Sequence, residues 1–508
     1  MSRKKRLAMN SLSSFLHQII VLLCGFIVPK LILSKFGSEV NGLVGSIAQF
    51  LSIIAFLELG VGAVVQSSLY KPIADNDNIA ISRIMASANK FFEKIAIVLI
   101  VYVLFLIIFY PLIVNSAYDH FYTAILIVSI SINSFAQYYF GVVDRLLLNA
   151  DQRGYIQYNL QSIALILNTI ACAILIKIGA SIQVVKMTTS LIYLLIPFVL
   201  RVYVNKKYKI DRKIKYEVEP ITQKWNGIAQ HIAAVVLNQT DTIVLTIFST
   251  LSNVSIYGVY FLVVNGVKNF CVSLTNGVQA LLGELWAKQE IGELNKIFCM
   301  AEWAIHTGGV FIFGCTASLI VPFIRVYTYG IEDANYIVPD FALLITLAIG
   351  MSCIRLPYNI MILAAGHYKQ TQTNYIVAAG INILISILTV KAWGLIGVAI
   401  GTLAALVYQT IWMVVYDYRV FLRLTIWRFL KQVLVDAAIF AIAFPVSKLL
   451  HMRTVSYFSW VFLAIKCCCI WAIVVIVCNA LLYKNNAVYV YKKFLYRISL
   501  LKKRDSKN

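Results

Sequence analysis

LLNADQRGYIQYNLQSIALILN, residues 147–168, is followed 215 residues later by ILAAGHYKQTQTNYIVAAGINI, residues 362–383. In register, Gln157 lies over Gln372 and Asn159 over Asn374, each a polar residue in a largely apolar run. The same offset puts Asp144 over Asn359 and Gly179 over Gly394. Upstream, VNGLVGSIAQF (40–50) lies over IYGVYFLVVNG (256–266) and Leu69-Tyr70 over Leu285-Trp286, at an offset of 216. Each identity alone is weak, but a near-constant offset held across several apolar spans marks an internal duplication.

The duplicated segments belong to a chain of 508 residues, 60% hydrophobic and 13% charged, with a mean hydropathy of +0.81. No soluble domain of this length sustains that composition, so the chain reads as an integral membrane protein. Spans of about 20 apolar residues fall at 11–33, 43–70, 91–114, 121–148, 155–177, 180–204, 226–248, 256–285, 296–324, 338–363, 370–390, 395–418, 428–447 and 455–483. The expected fold is therefore all-α, with about 14 transmembrane helices. An even number of helices per repeat makes both copies enter the membrane in the same sense, giving two six-helix lobes related by a pseudo-twofold along the membrane normal, with a cavity between them. The boundaries expected are an N-terminal lobe at 1–204, a basic cytoplasmic linker at 205–225, a C-terminal lobe at 226–420, two additional helices at 421–483 and a basic tail at 484–508.

A formal charge of +22 raises nucleic acid as a partner, but the Lys and Arg residues sit in short segments between spans and at the two ends. One set of segments (Arg3 to Arg6, the loop Arg201 to Lys224, the loop Arg419 to Arg428, the tail from Lys484) holds most of them; the opposite set holds few, among them Lys35, Lys177, Lys391 and Arg453. Both termini are thus expected in the cytoplasm, beside anionic lipid. SRKKRLAMN resembles a signal-peptide start, but no small-residue cleavage site follows the first span, which reads as a mature helix. Most of the ten cysteines lie in apolar spans without metal-ligand spacing and read as packing residues. No cofactor is expected.

Three stretches resemble a known family: FIVPKLILSKFGSEVNGLVG (26–45), LELGVGAVVQSSL (57–69) and NQTDTIVLTIFSTLSNVSIYGVY (238–260). Their order and spacing are similar to those of the oligosaccharide and polysaccharide flippases of the multidrug/oligosaccharidyl-lipid/polysaccharide exporter superfamily, over most of residues 10 to 420. The resemblance implies a MATE-like fold in a bacterial plasma membrane. It implies flipping of a polyprenyl-diphosphate-linked saccharide to the outer leaflet by alternating access, for O antigen, capsule or another surface polymer. The headgroup would pass through the cavity while the prenyl tail stays in lipid, beside the last two helices. H+ or Na+ is the expected coupling ion, and a monomer is sufficient.

A diphosphate needs cations and a saccharide needs amides and hydroxyls, so the polar residues of each span should share a face. Asn265, Lys268, Asn269 and Asn276 lie on one helical stripe; their repeat mates include Gln49 and Ser52, also polar and three apart. Ser352, Arg355 and Asn359 make a second face beside the helix-breaking Pro357, with Arg suited to phosphate by its planar fork. For Lys268 the competing reading is a snorkelling or paired lysine, and for Arg355 an ion pair within its lobe. His17 and His231, 214 residues apart, read either as satisfied core histidines or as groups meeting a phosphate or a coupling proton. Lys30 and Asp241 read first as an ion pair that tracks the change of state, Asp144 and Arg145 as a structural pair, and Glu302 and His306 as a self-satisfied i,i+4 pair.

Glu58 lies mid-span, where a charge is expensive and by default functional. It is nine residues from Gln49, about 900° or half a turn off that face, which favours a structural or switch contact inside its lobe. Two other functions compete. A multidrug exporter of the same superfamily would want cavity acids, a role open to Glu58 and Asp241. A polytopic glycosyltransferase or saccharide polymerase would want a sizeable outer loop; the longest, near 325–337, carries Arg325, Glu332 and Asp333. No phosphate-binding Gly-rich loop, HExxH helix or nucleophile elbow is present.

Overall fold

In the computed structural model the described residues are 3–114, 118–212, 214–221 and 228–483; the side chains of 3, 4, 7, 55–60, 63, 228–235, 237, 238, 274, 276, 277, 280 and 368 also fall outside the description. The side chains of Glu58, His231 and Asn276 therefore lie outside the described residues, as do the linker residues 222–227 and the tail 484–508.

The described chain is helical throughout. In order come α1 (Arg3–Ser52), α2 (Ala55–Asp75), α3 (Asn78–Ile113), α4 (His120–Ala136), α5 (Val142–Ala150), α6 (Gly154–Lys177), α7 (Ile182–Lys207) and α8 (Ile228–Phe248). They are followed by α9 (Leu251–Ala287), α10 (Ile291–Tyr327), α11 (Pro339–Ile354), α12 (Leu356–Ala364), α13 (Tyr368–Trp393), α14 (Leu395–Asp417), α15 (Ile426–Lys448) and α16 (Tyr457–Leu482). One π-helical turn, Gln137–Gly141, joins α4 to α5 and another, Tyr418–Leu422, ends α14. Among the described residues twelve helices are long and apolar enough to cross a membrane. With α4 and α5 counted as one span and α11 and α12 as another, the helices outside that number are α2 and α8, which are 21 residues each and fall at the expected second and seventh spans.

The chain forms two compact units. The first runs to Leu262 and adds Gly330–Ala334 and Tyr375–Val398; the second comprises Val263–Tyr329, Asn335–Asn374 and the residues from Ala399. The units reflect contacts, whereas the lobes expected at 1–204 and 226–420 rest on the sequence repeat.

In the first unit α1 packs on α6 and α8, α4 on α7, and α2 on α3, α5 and α8. Gly37 interrupts α1 with φ 83 and ψ 179, a backbone that side chains rarely adopt. A Cβ there would also stand 2.7 Å from the Asp333 carboxylate. Asp333 caps the chain beyond the break, accepting from Ser38 N at 2.6 Å and Ser38 Oγ at 2.7 Å. Ser46, fully buried, accepts from Tyr110 at 2.7 Å and Thr246 at 2.8 Å, which joins α1, α3 and α8. At one end of the unit Asp151 gathers Arg6 at 2.9 Å, Arg153 at 2.5 Å and the Tyr208 hydroxyl. Burial lowers the pKa of the Arg153 guanidinium, but its hydrogen bonds to Asp151 and Tyr203 and the charges of Asp151 and Tyr208 together outweigh this and hold it above its usual range. Asp144, expected with its neighbour Arg145, instead pairs with Arg212 of the linker at 2.7 Å.

In the second unit α10 is the axis against which α11, α12, α15 and α16 pack. Every fourth residue of α16 is buried, from Leu463 through Cys467, Trp471 and Val475 to Asn479, a row that fits grooves on a neighbouring helix. Trp471, fully buried, fills a notch at Gly314 of α10, where a Cβ would come within 2.1 Å of its ring. Its Nε1 donates to Ser318 Oγ at 3.1 Å, and Trp303 Nε1 donates to Asn479 Oδ1 at 2.8 Å. Gly314→Val is expected to push α16 off α10 and to cost about 1–3 kcal/mol or more. A lowered thermal midpoint with faster proteolysis near 449–456 checks this; an unchanged midpoint argues against the notch.

Candidate functional site

Within the second unit, α9 presents Asn265, Lys268 and Asn269, and none of these side chains has a hydrogen-bond or ion-pair partner among the described residues. Lys268 is half-buried and within electrostatic reach of a second cation, Arg355, and of Cys353. Arg355 stands at the junction of α11 and α12. The junction follows from Pro357, whose missing N–H leaves the carbonyl four residues back without its helical donor. Ser352 is buried and donates to Ile349 O at 2.6 Å, and Asn359 N donates to Arg355 O at 3.1 Å. Cys271 and Cys353, within hydrogen-bond reach of each other, join α9 to α11 beside the cations. The stripe and the Pro-marked face expected from the sequence thus meet at two like charges, which repel by a few kcal/mol at close range in a medium of effective dielectric about 20. An anion between them would relieve that repulsion.

The same unit holds a buried acid network that sequence reasoning reduced to one pair. Glu302 and His306 do not satisfy each other. Glu302 accepts from Tyr358 at 2.8 Å, from the Tyr418 hydroxyl and from Arg428 Nε at 2.9 Å. His306 Nδ1 meets Asp436 at 2.6 Å, with Tyr358 3.4 Å from its Nε2. An i,i+4 pair is the cheapest guess on one helix, but a long helix packed on four others offers better partners. Asp417 is fully buried with neither carboxylate oxygen hydrogen-bonded, and Glu302 is its charged neighbour. Asp417 and Asp436 were missed; the signal, an acid in an apolar span, is the one that Glu58 also carries.

In the first unit the candidates are dispersed. Gln49 Nε2 donates to Ser52 Oγ at 3.2 Å and Ser52 Oγ to Gln49 O at 2.7 Å, at the end of α1. His17, half-buried, bonds Ser162 at 3.0 Å and lies against Tyr158. Lys30 is half-buried on α1. Asp241, buried, accepts from Tyr257 at 2.9 Å and from Asn382 at 3.3 Å. Asn382 was missed although it lies inside the repeated segment, because its repeat mate, Leu167, is apolar.

No protein-family model matches the chain, and no curated protein matches it significantly. Solved structures do. The lipid II flippase MurJ in an inward closed conformation matches with a TM-score of 0.70 at 17% identity, over 94% of this chain and 99% of that one. A point mutant of the Vibrio cholerae MATE transporter VcmN matches at 0.59 and 12% identity, over 82% and 98%. An outward-facing multidrug resistance MATE family transporter of the MOP superfamily matches at 0.57 and 13%, over 82% and 96%. The chain has the fold of these transporters. MOP is the superfamily resembled by the three sequence stretches, and these neighbours are named a flippase and transporters. Asp333, which an outer-loop enzyme would use, is here a cap on the Gly37 break.

Proposed function

We propose that this protein flips a polyprenyl-diphosphate-linked oligosaccharide from the cytoplasmic to the outer leaflet of a bacterial plasma membrane by alternating access, for assembly of a surface polysaccharide such as O antigen or capsule. The observation that carries this reading is the juxtaposition of Lys268 with Arg355, without an acid bonded to Lys268. Two cations side by side in a membrane unit match a diphosphate, with Arg355 supplying the fork and Lys268 the point charge. Asn265, Asn269 and Asn359 are then the saccharide donors and acceptors, with Asn276 extending the stripe; Gln49 and Ser52 offer further polar groups in the first unit. Asp241, a buried acid, is the place for a coupling proton or sodium ion, and Lys30, His17 and His231 are secondary candidates for the change of state. The likeness to a lipid II flippase favours a lipid-linked substrate over a soluble one.

The multidrug-exporter reading rests on Asp241 and on the MATE structures. It leaves the two cations without a role, since an organic cation would be repelled by them. Binding separates the two. A fluorescent polyprenyl diphosphate is expected to bind the purified protein more tightly than the uncharged polyprenol, with the preference lost in Lys268→Gln/Arg355→Gln. Equal binding of both lipids, with tight binding of an organic cation, contradicts the proposal.

A further inference from the structure

Two cavities of the second unit lie in one crevice. The first, of about 320 Å³, opens where α10 and α15 end and α11 begins, and it is lined by Arg325, Lys448 and His451 together with Ser318, Leu343 and Phe444. The second, of about 260 Å³, is lined almost wholly by apolar groups, including Val310, Phe313, Leu347, Met351 and Phe440. Helical spacing sets them end to end along the same helices. On α10 the lining residues descend from Arg325 through Val321, Ala317 and Phe313 to Val310; on α11 they run from Leu343 through Leu347 to Met351; on α15, from Lys448 through Phe444 to Phe440. Steps of three and four residues keep each set on one face. At 1.5 Å per residue, the crevice runs roughly 20 Å along α10.

Its polarity is graded. At the mouth stand three groups able to carry positive charge and no acid; Arg325, Lys448 and His451 have no ion-pair partner among the described residues, and Lys448 Nζ lies 4.7 Å from the centre of the Phe444 ring. The hydroxyls there, Ser318 and Ser447, are bonded to each other at 2.6 Å. Beyond them the walls are apolar. A free anion would use only the mouth and a neutral lipid only the depth; a chain-bearing anion uses both.

We propose that the crevice between α10, α11 and α15 is a site for an anionic phospholipid of the bilayer, with its phosphate between Arg325 and Lys448 and one acyl chain along Phe313, Leu347 and Phe440. Charge complementarity at the mouth selects the headgroup, and the apolar length holds the chain. The occupant is a structural lipid: it fills space between α10 and α15, and so fixes the two added helices to the unit. Its charged mouth is distinct from the Lys268 and Arg355 group, whereas the deep end reaches Ile354, the neighbour of Arg355. With both termini cytoplasmic, as the charge distribution predicts, it lies in the outer leaflet.

The test uses the full-length protein in detergent, stripped of lipid, with its thermal midpoint followed while phosphatidylglycerol, phosphatidylcholine, inorganic phosphate or a polyprenyl phosphate is added. Phosphatidylglycerol is expected to raise the midpoint more than phosphatidylcholine, with phosphate alone inert. In Arg325→Gln/Lys448→Gln the midpoint without lipid is expected unchanged and the apparent affinity for phosphatidylglycerol roughly tenfold weaker or more. A control, Lys71→Gln/Lys94→Gln, removes two exposed cations elsewhere and should respond as the wild type does. An undiminished response in the Arg325/Lys448 variant, or equal effects of the two phospholipids on the wild type, overturns the site. Stabilisation by polyprenyl phosphate but not by phosphatidylglycerol overturns it in favour of the transported lipid, and stabilisation by phosphate alone in favour of a simple anion.

Discussion

Arg428→Met is expected to destabilise the second unit by about 2–3 kcal/mol, below the roughly 3–5 kcal/mol found when one partner of a fully buried ion pair is removed, because solvent screens the exposed part of the guanidinium. Glu302 is 2% exposed and the Arg428 side chain 40%. Methionine keeps much of the arginine stem while removing the charge, so the effect reports on Glu302 left with only the hydroxyls of Tyr358 and Tyr418. The companion variant decides the cause. Glu302→Gln in the Arg428→Met background removes the uncompensated charge and is expected to recover a large part of the loss, since a buried pair replaced as a whole is often close to neutral. Thermal midpoints of the purified single and double variants read this directly. A double variant worse than the sum of the singles would mean that the network is held by packing and not by charge. Because Arg428 and Glu302 join α15 to α10, the single variant should also loosen α15 and α16, seen as faster proteolysis after residue 425.

Lys268→Ala is expected to slow flipping of the lipid-linked saccharide by about 10- to 100-fold, the worth of one hydrogen bond to a charged group, with membrane insertion and thermal midpoint unchanged or slightly improved. The asymmetry is the informative part. A lysine held only by packing or by an acid would destabilise the fold when truncated. A lysine that faces Arg355 and has no bonded partner of its own among the described residues relieves repulsion when removed, so the protein gains stability as it loses function. Arg355→Lys keeps the charge but loses the fork, and should fall between wild type and Arg355→Ala. Full activity of a well-expressed Lys268→Ala removes this residue from the site.

How much of this was legible in the sequence follows from which signals are local. Apolar length alone fixes the helices, and Pro357 marks the α11–α12 junction that carries Arg355. Helical spacing placed Asn265, Lys268 and Asn269 on one stripe, and burial of Cys467 in the same every-fourth row as Trp471 shows that this cysteine packs a helix as expected. What the sequence could not supply is partnership between distant helices. Glu302 was read with its neighbour His306, but its donors are 56, 116 and 126 residues away. Asp144 was read with Arg145, but its partner is in the linker. Gln49 and Ser52, expected on a shared polar face, also bond each other at the end of α1. The Trp471 notch depends on Gly314, whose small size is informative only when the opposing helix is known.

A flippase moves its lipid-linked saccharide between leaflets. The most direct measurement places the purified protein in proteoliposomes with a fluorescent polyprenyl-diphosphate oligosaccharide in both leaflets and adds a membrane-impermeant sugar-modifying enzyme outside. Protein-free vesicles are expected to protect the inner-leaflet fraction, whereas vesicles with the protein lose that protection, and Lys268→Ala slows the loss. Persistent protection with active, correctly folded protein, together with uptake of a soluble organic cation, would contradict the flippase and move the chain to the drug-exporter function.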